Sequence, residues 1–245
     1  MREESPTGYY HVMQRGVGKQ ILFEDDRDYE RYIKKLSECK AELDFDLAAY
    51  CLMNNHVHLL IHTTSVPIMS RLMARIGTSY AAYYNEKYDH FGTVFQGRYL
   101  SEPITDEKYL RDCTRYIHNN PTKAGIASLE GYRWSSYADY LRNDGLADTE
   151  VLMEHFGSLE TFKEYNRQEC EREYLECDMD LATCDRGLEI IRAHYGTEFE
   201  NTLIVKQLCR EERNKIIREM KKAGLSLKRI ELLTGVSRDI IRRIK

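Results

Sequence analysis

The chain has 245 residues, of which 42% are hydrophobic and 31% charged, with a formal net charge of −4. That balance excludes a disordered or collagen-like chain and is sufficient for a sizeable buried core. No apolar run approaches the ~20 residues that a membrane helix requires. Met1–Thr7 lacks the apolar segment of a secretory signal, so a cytoplasmic location and no membrane partner are expected.

Charge is unevenly distributed. Residues 141–205 carry 6 Lys/Arg against 16 Asp/Glu, and residues 206–245 carry 13 against 5. An acidic segment followed by a basic one divides the chain into three regions. The seven cysteines include no C-x-x-C pair, which favours reduced thiols over a disulfide framework. Cys170, Cys177 and Cys184 recur every seven residues, a spacing wider than zinc clusters use.

In chain order, Tyr9–Arg15 is rich in aromatic and β-branched residues and ends at Gly16-Val17-Gly18, a strand and a turn. Asp28–Leu43 has helical apolar spacing after an acidic first turn. Phe45–Met53 reads as a strand and Asn54-Asn55 as a turn, so His56–His62 returns as a hairpin. Ile68–Tyr88 reads as a long helix and Arg98–Ile104 as a short strand. Asp106 caps a helix expected to reach about Asn119, with Pro121 just beyond it. The order β-α-β-β-α-β-α contains the ferredoxin-like pattern. The expected fold is therefore α+β: an antiparallel sheet carrying helices, followed by an all-α extension. Leu146–Phe156, Leu159–Glu176 and Leu188–His194 read as acidic helices of that extension.

His56-Val57-His58 opens a strand. Strand positions two apart share a face, so both imidazoles point the same way and form a natural pair of divalent-metal ligands. The plainer reading is polar packing. Tyr116 and Asn120 are four apart and share a helix face. A phenol is a poor nucleophile at neutral pH. A cation held by His56, His58 and Asn120 would polarise a phosphoryl oxygen, with Tyr116 beside it. In a chain with 18 tyrosines, a core role for Tyr116 is the competing reading. His118 faces away from this pair. His62 shares the strand face but lies roughly 13 Å beyond His58.

The run Asn55-His56-Val57-His58-Leu59-Leu60 resembles the His-hydrophobe-His signature of single-tyrosine HUH transposases. Tyr10-His11-Val12 with Arg15-Gly16, Phe95-Gln96-Gly97-Arg98-Tyr99 and Tyr116-Ile117-His118-Asn119-Asn120-Pro121 resemble the branch of REP-associated tyrosine transposases. The resemblance spans residues 8–140, in matching order and spacing. It implies that His56 and His58 hold magnesium or manganese and that Asn120 is the third, amide-type ligand. It implies that Tyr116 attacks single-stranded or hairpin DNA, leaving a 5′-phosphotyrosine and a free 3′-hydroxyl. Gln96 and Arg98 are expected to touch DNA. Residues 141–205 and 206–245 extend beyond the family core.

In the basic segment, Ala223-Gly224-Leu225-Ser226 separates two helices, and Leu227, Ile230 and Leu233 give the second an apolar stripe. Gly235-Val236-Ser237 is a tight turn with Ser237 as N-cap of a following helix that offers Arg238, Arg242 and Arg243. This is a helix-turn-helix layout suited to duplex DNA; a structural helical pair is the alternative. The leading expectation is thus a metal-dependent, single-tyrosine strand transferase. A DNA-binding regulator without cleavage activity and a water-using phosphodiesterase are the alternatives. Monomer and homodimer both remain open.

Overall fold

The computed structural model describes residues 2–168, 187, 189–194, 205, 208–225, 227–234 and 236–244. The chain divides into two compact units, Met1–Arg15 with Ile21–Glu176, and Gly16–Gln20 with Cys177–Lys245.

The first unit is built on four antiparallel strands: β1 (Tyr9–Arg15), β2 (Asp46–Met53), β3 (His56–His62) and β4 (Leu100–Pro103). Their order is β2-β3-β1-β4, the ferredoxin-like arrangement expected from the element order. Both β1 and β3 have the expected bounds, and the Asn54-Asn55 turn joins β2 to β3. α1 (Asp26–Glu42) and α2 (Val66–Lys87) cover one face. There Tyr10, Val12, Leu52, Val57, Leu59 and Ile61 meet Leu36, Leu72 and Ile76. α3 (Glu107–Lys123), α4 (Tyr137–Arg142), α5 (Thr149–Met153) and α6 (Leu159–Arg167) pack with the other face, against Tyr9, Ala49, Cys51 and Leu60. Alternation along each strand separates the two cores. A bulge at Ala48 in β2, between the pairs Leu47–Ile61 and Ala49–Leu60, places two small residues under α4.

Several boundaries differ from the sequence expectation for local reasons. α1 begins earlier, because the Asp25 side chain accepts from the backbone N–H groups of Arg27 and Asp28 while Asp28 accepts in return from Asp25, a reciprocal cap. Asp28 is fully buried and also accepts from the Tyr83 and Tyr88 hydroxyls and from Lys87, tying the start of α1 to the end of α2. β4 starts at Leu100, not Arg98, because Gly97 (φ 71°) turns the chain just before it. Pro121 lies inside α3, which runs to Lys123. Proline forfeits only its own N–H bond, and Ala124 N–H still reaches the Asn120 carbonyl. The helix expected over Leu146–Phe156 shortens to α5, because the Asp139 carboxylate accepts from Leu146 and Ala147 N–H and holds that stretch as a loop. α4 was not anticipated; its six residues are too few for a clear period. α6 realises the first part of Leu159–Glu176. The remainder from 169, Cys170, Cys177, Cys184, Leu188 and Gly235 lie outside the described residues. Residues 189–194 are helical.

The second unit contains α7 (Arg210–Lys222), α8 (Leu227–Thr234) and α9 (Arg238–Arg243) around Ile216, Ile217, Met220, Ile230, Leu233 and Ile241. Gly224 (φ 84°) ends α7, with Leu225 N–H on the Met220 carbonyl and Gly224 N–H on that of Lys221. That pairing satisfies carbonyls which a helix end leaves open. Ser237 occupies the N-cap position of α9, without a side-chain capping bond.

Candidate active site

The sheet face beneath α3 collects imidazoles by strand parity. β1 directs Tyr9, His11, Met13 and Arg15 to this face, and β3 directs His56, His58, Leu60 and His62. His58 is 1% exposed, and its Nδ1 lies 2.9 Å from Nε2 of the fully buried His11. The half-buried His56 stands edge-on to His58 at 4.9 Å between ring centres, with Nδ1 2.6 Å from Asn55 Oδ1. Tyr116, from α3, presents its ring edge-on to His58 at 5.5 Å and to His11 at 5.9 Å. The Tyr116 ring is buried, and Lys123 Nζ lies 5.8 Å from its centre.

Asn120 follows one turn after Tyr116 and is buried, its Nδ2 donating to the Tyr116 carbonyl at 2.9 Å. The first turn of α3 lies at the Tyr9 end of the face, where Glu107 meets His155 and His155 meets Tyr9, the register partner of His62. Tyr116 sits at the level of His58. The next turn therefore carries Asn120 toward the His56 end. Four helical residues advance about 6 Å, close to the spacing of two strand residues.

Burial keeps the His11 and His58 imidazoles neutral. Burial lowers the His11 pKa to about 3. Burial also holds His58 well below the ordinary histidine value, reinforced by His56, His11 and Arg15. Neutral imidazole is the metal-binding form. Asn55 can only accept through Oδ1, so His56 donates from Nδ1, and in the neutral ring Nε2 is the nitrogen that carries the lone pair. When His58 donates from Nδ1 to His11, its Nε2 is likewise a lone-pair donor. A hydrogen bond on the second ring nitrogen is the usual support of a ligating histidine. Among the described residues no three His, Cys, Asp or Glu side chains group as a metal site. Asn120 offers an amide oxygen as a third protein ligand. Two imidazoles and an amide oxygen suit a divalent cation that retains water ligands.

His11 and Arg15 carried no role in the sequence reading. Arg15 is the register partner of His56, and its Nε is buried without a partner among the described residues. Their spacing of two on β1 was visible, but their apposition to His56 and His58 depends on the β1–β3 register. His118 is fully buried away from the cluster, bound to Asn166 Oδ1 at 3.0 Å and Ser136 Oγ at 2.9 Å. His62 is paired with Asp46 at 2.9 Å. Gln96 and Arg98 lie between α2 and β4, outside the histidine–tyrosine cluster. Gln96 N–H bonds the Arg15 carbonyl at 2.8 Å, and Arg98 is exposed. Arg238, Arg242 and Arg243 belong to the second unit. All three are exposed, with Arg238 paired to Glu231 at 2.8 Å and Arg242 to Asp239 at 3.5 Å.

Among the described residues no helix is long and apolar enough to cross a membrane. Residues 5–120 match the family model described as "Transposase IS200 like". No curated protein matches the chain significantly. Among solved structures, the chain is similar to the REP-associated tyrosine transposase bound to a REP hairpin, at 16% identity and a TM-score of 0.50, over 61% of this chain and 87% of that one. A crystal structure from Deinococcus radiodurans, described as a transposase, matches 60% of this chain and 100% of its own at 16% identity and a TM-score of 0.34. Over residues 5–120, just under half of the chain, the sequence is thus similar to the IS200-like transposase family, and its fold is that of the REP-associated tyrosine transposase whose motifs it resembles.

Proposed function

We propose that the chain nicks and rejoins single-stranded DNA through a 5′-phosphotyrosine on Tyr116, with His56, His58 and Asn120 holding magnesium or manganese. The observation that carries this reading is the edge-on contact of the Tyr116 ring with His58 at 5.5 Å, one strand position-pair from His56. A nucleophile and a pair of metal ligands thereby share one rigid sheet face.

In the proposed step the Tyr116 Oη–phosphorus bond forms and the phosphorus–O3′ bond breaks. The phenol loses its proton and the departing 3′ oxygen gains one, so no net proton or cofactor is consumed. The reverse attack by the 3′-hydroxyl rejoins strands, since the phosphoester is exchanged rather than hydrolysed. The bound cation supplies charge stabilisation on the non-bridging oxygens. Arg15, opposite His56, adds a second fixed positive charge on this face. His11 fixes the ring orientation of His58, and burial of the phenol among rings restricts its rotamers. REP-hairpin binding by the structural neighbour supports a hairpin substrate here. The exposed Arg242 and Arg243, with Arg238, support a second, duplex-binding role for the C-terminal unit.

The test is a denaturing gel of purified protein with labelled hairpin oligonucleotides, with and without Mn²⁺ or Mg²⁺, beside Tyr116→Phe. A metal-dependent covalent band that Tyr116→Phe abolishes, with DNA binding retained, is expected. An adduct formed by that variant overturns the nucleophile assignment. Metal-dependent cleavage without any adduct assigns the chemistry to water.

A further inference from the structure

On the opposite face of the sheet, a groove of about 730 Å³ runs between α2 and the segment that leads into β4. Its lining includes Gln14, Gly77, Thr78, Phe95, Arg98 and Tyr99. β4 pairs with Tyr10–Met13, so among the described residues the β1 edge at Gln14 has no strand neighbour on that side. Two local costs coincide there. Gln14 is 7% exposed, and its buried Oε1 has no hydrogen-bond partner among the described residues, a state that costs free energy unless a ligand supplies a donor. Gly77 stands in the interior of the 22-residue helix α2, where glycine is less favourable than alanine. A Cβ at Gly77 would lie 3.2 Å from Gln14 Nε2, so the glycine keeps the space beside the carboxamide open.

The charge of the lining is one-sided. Among the described residues it contains two arginines, Arg98 and Arg2, and no carboxylate. Arg2 lies flat over the Tyr99 ring at 3.8 Å, held by Ser101 Oγ and the Tyr99 carbonyl. A carboxamide with an unused acceptor at the base of the groove, aromatic residues in its lining and a cationic rim suit an unpaired nucleotide. A glutamine carboxamide matches the N6/N7 edge of adenine with one acceptor and one donor.

We propose that this groove binds an unpaired adenine nucleotide of the DNA substrate, its base edge read by Gln14 and its phosphate met by Arg98. The proposal rests on the single-strand reading above and adds the base and the residue that reads it. Because this site and Tyr116 lie on opposite sheet faces, the nucleotide bound here is not the one attacked.

The test uses the full chain and four labelled pentanucleotides, dA₅, dC₅, dG₅ and dT₅, with equilibrium binding followed by anisotropy at fixed salt. The expected result is about tenfold tighter binding of dA₅, the scale of one bidentate base contact. Replacing adenine by 7-deazaadenine should remove most of that preference. Gln14→Ala should flatten the preference while retaining charge-driven binding, and Gly77→Leu should do the same by filling the groove. Thr78→Trp, from the exposed rim, covers the case in which Gly77→Leu fails to fold. Equal binding of all four oligonucleotides, or a preference unchanged in Gln14→Ala and Thr78→Trp, overturns the proposal. Adduct formation on hairpins is scored separately. A preference lost in Gln14→Ala without any adduct supports the groove and removes the nicking reading; an adduct with no base preference does the reverse.

Discussion

At the residue scale, the neutral histidines make stability depend on pH. His11 is lowered to about 3 and His118 to about 4 by burial, and His58 is also lowered. An unfolded histidine titrates near ~6.5. Between the folded and unfolded values the unfolded state binds more protons, so stability falls as pH drops. The contribution is complete above about pH 6.5 and is lost progressively toward pH 4. In metal-free protein, the thermal midpoint should fall between pH 7 and pH 5. His118→Gln should be less stable than wild type at pH 7 yet show a shallower fall over that window. An equal slope in the variant would show that other groups drive the acid sensitivity. His118 also shows what sequence could convey. Its separation from Tyr116 by two helical positions excluded it from the site, and its burial on Asn166 and Ser136 agrees. His11 shows the converse: its partner is 47 positions away, and no local pattern reports a cross-strand register.

At the element scale, the most legible features were those with a strong period or a strong stop. β1 stops at Gly16 and β3 starts after the Asn54-Asn55 turn, and both have the bounds expected from the sequence. The short α4 and the loop held by Asp139 were illegible, because a carboxylate that caps N–H groups seven and eight residues ahead leaves no periodic pattern. The end of α7 belongs with the legible class. Ala223-Gly224 marked a helix stop, and Gly224 at φ 84° closes α7 with two backbone bonds. An L-residue is strained at that angle, so Gly224→Ala should destabilise the C-terminal unit by about 1 kcal/mol. Gly224→Asn, which tolerates the left-handed region, should lose less. Denaturant unfolding, with hydrogen exchange of α7 and α8 amides to locate the effect, would check this. An Ala variant as stable as wild type would mean that α7 ends by another geometry.

At the scale of the whole molecule, the net charge of −4 conceals a basic final segment, and a polyanion responds to the local surface. That asymmetry was readable by counting, whereas the assignment of Gly16–Gln20 to the second unit was not, since it joins residues far apart in sequence. The duplex-binding role proposed for the C-terminal unit makes a separable prediction. Arg238 is held by Glu231, whereas the Arg242 contact with Asp239 is exposed and 3.5 Å long, and Arg243 is exposed. Exposed pairs contribute little and yield readily to phosphate. Each phosphate contact releases condensed counterions, so the logarithm of the duplex-binding constant should fall linearly with the logarithm of salt. Replacing Arg242 and Arg243 together by alanine should weaken duplex binding at every sequence tested and reduce the slope by about 2. Pentanucleotide preference and Tyr116 adduct formation should be unchanged, because both are assigned to the first unit. A duplex slope unaltered by the double substitution would place the phosphate contacts elsewhere. A loss of adduct formation in the same variant would instead make the basic helix part of the cleavage substrate's path.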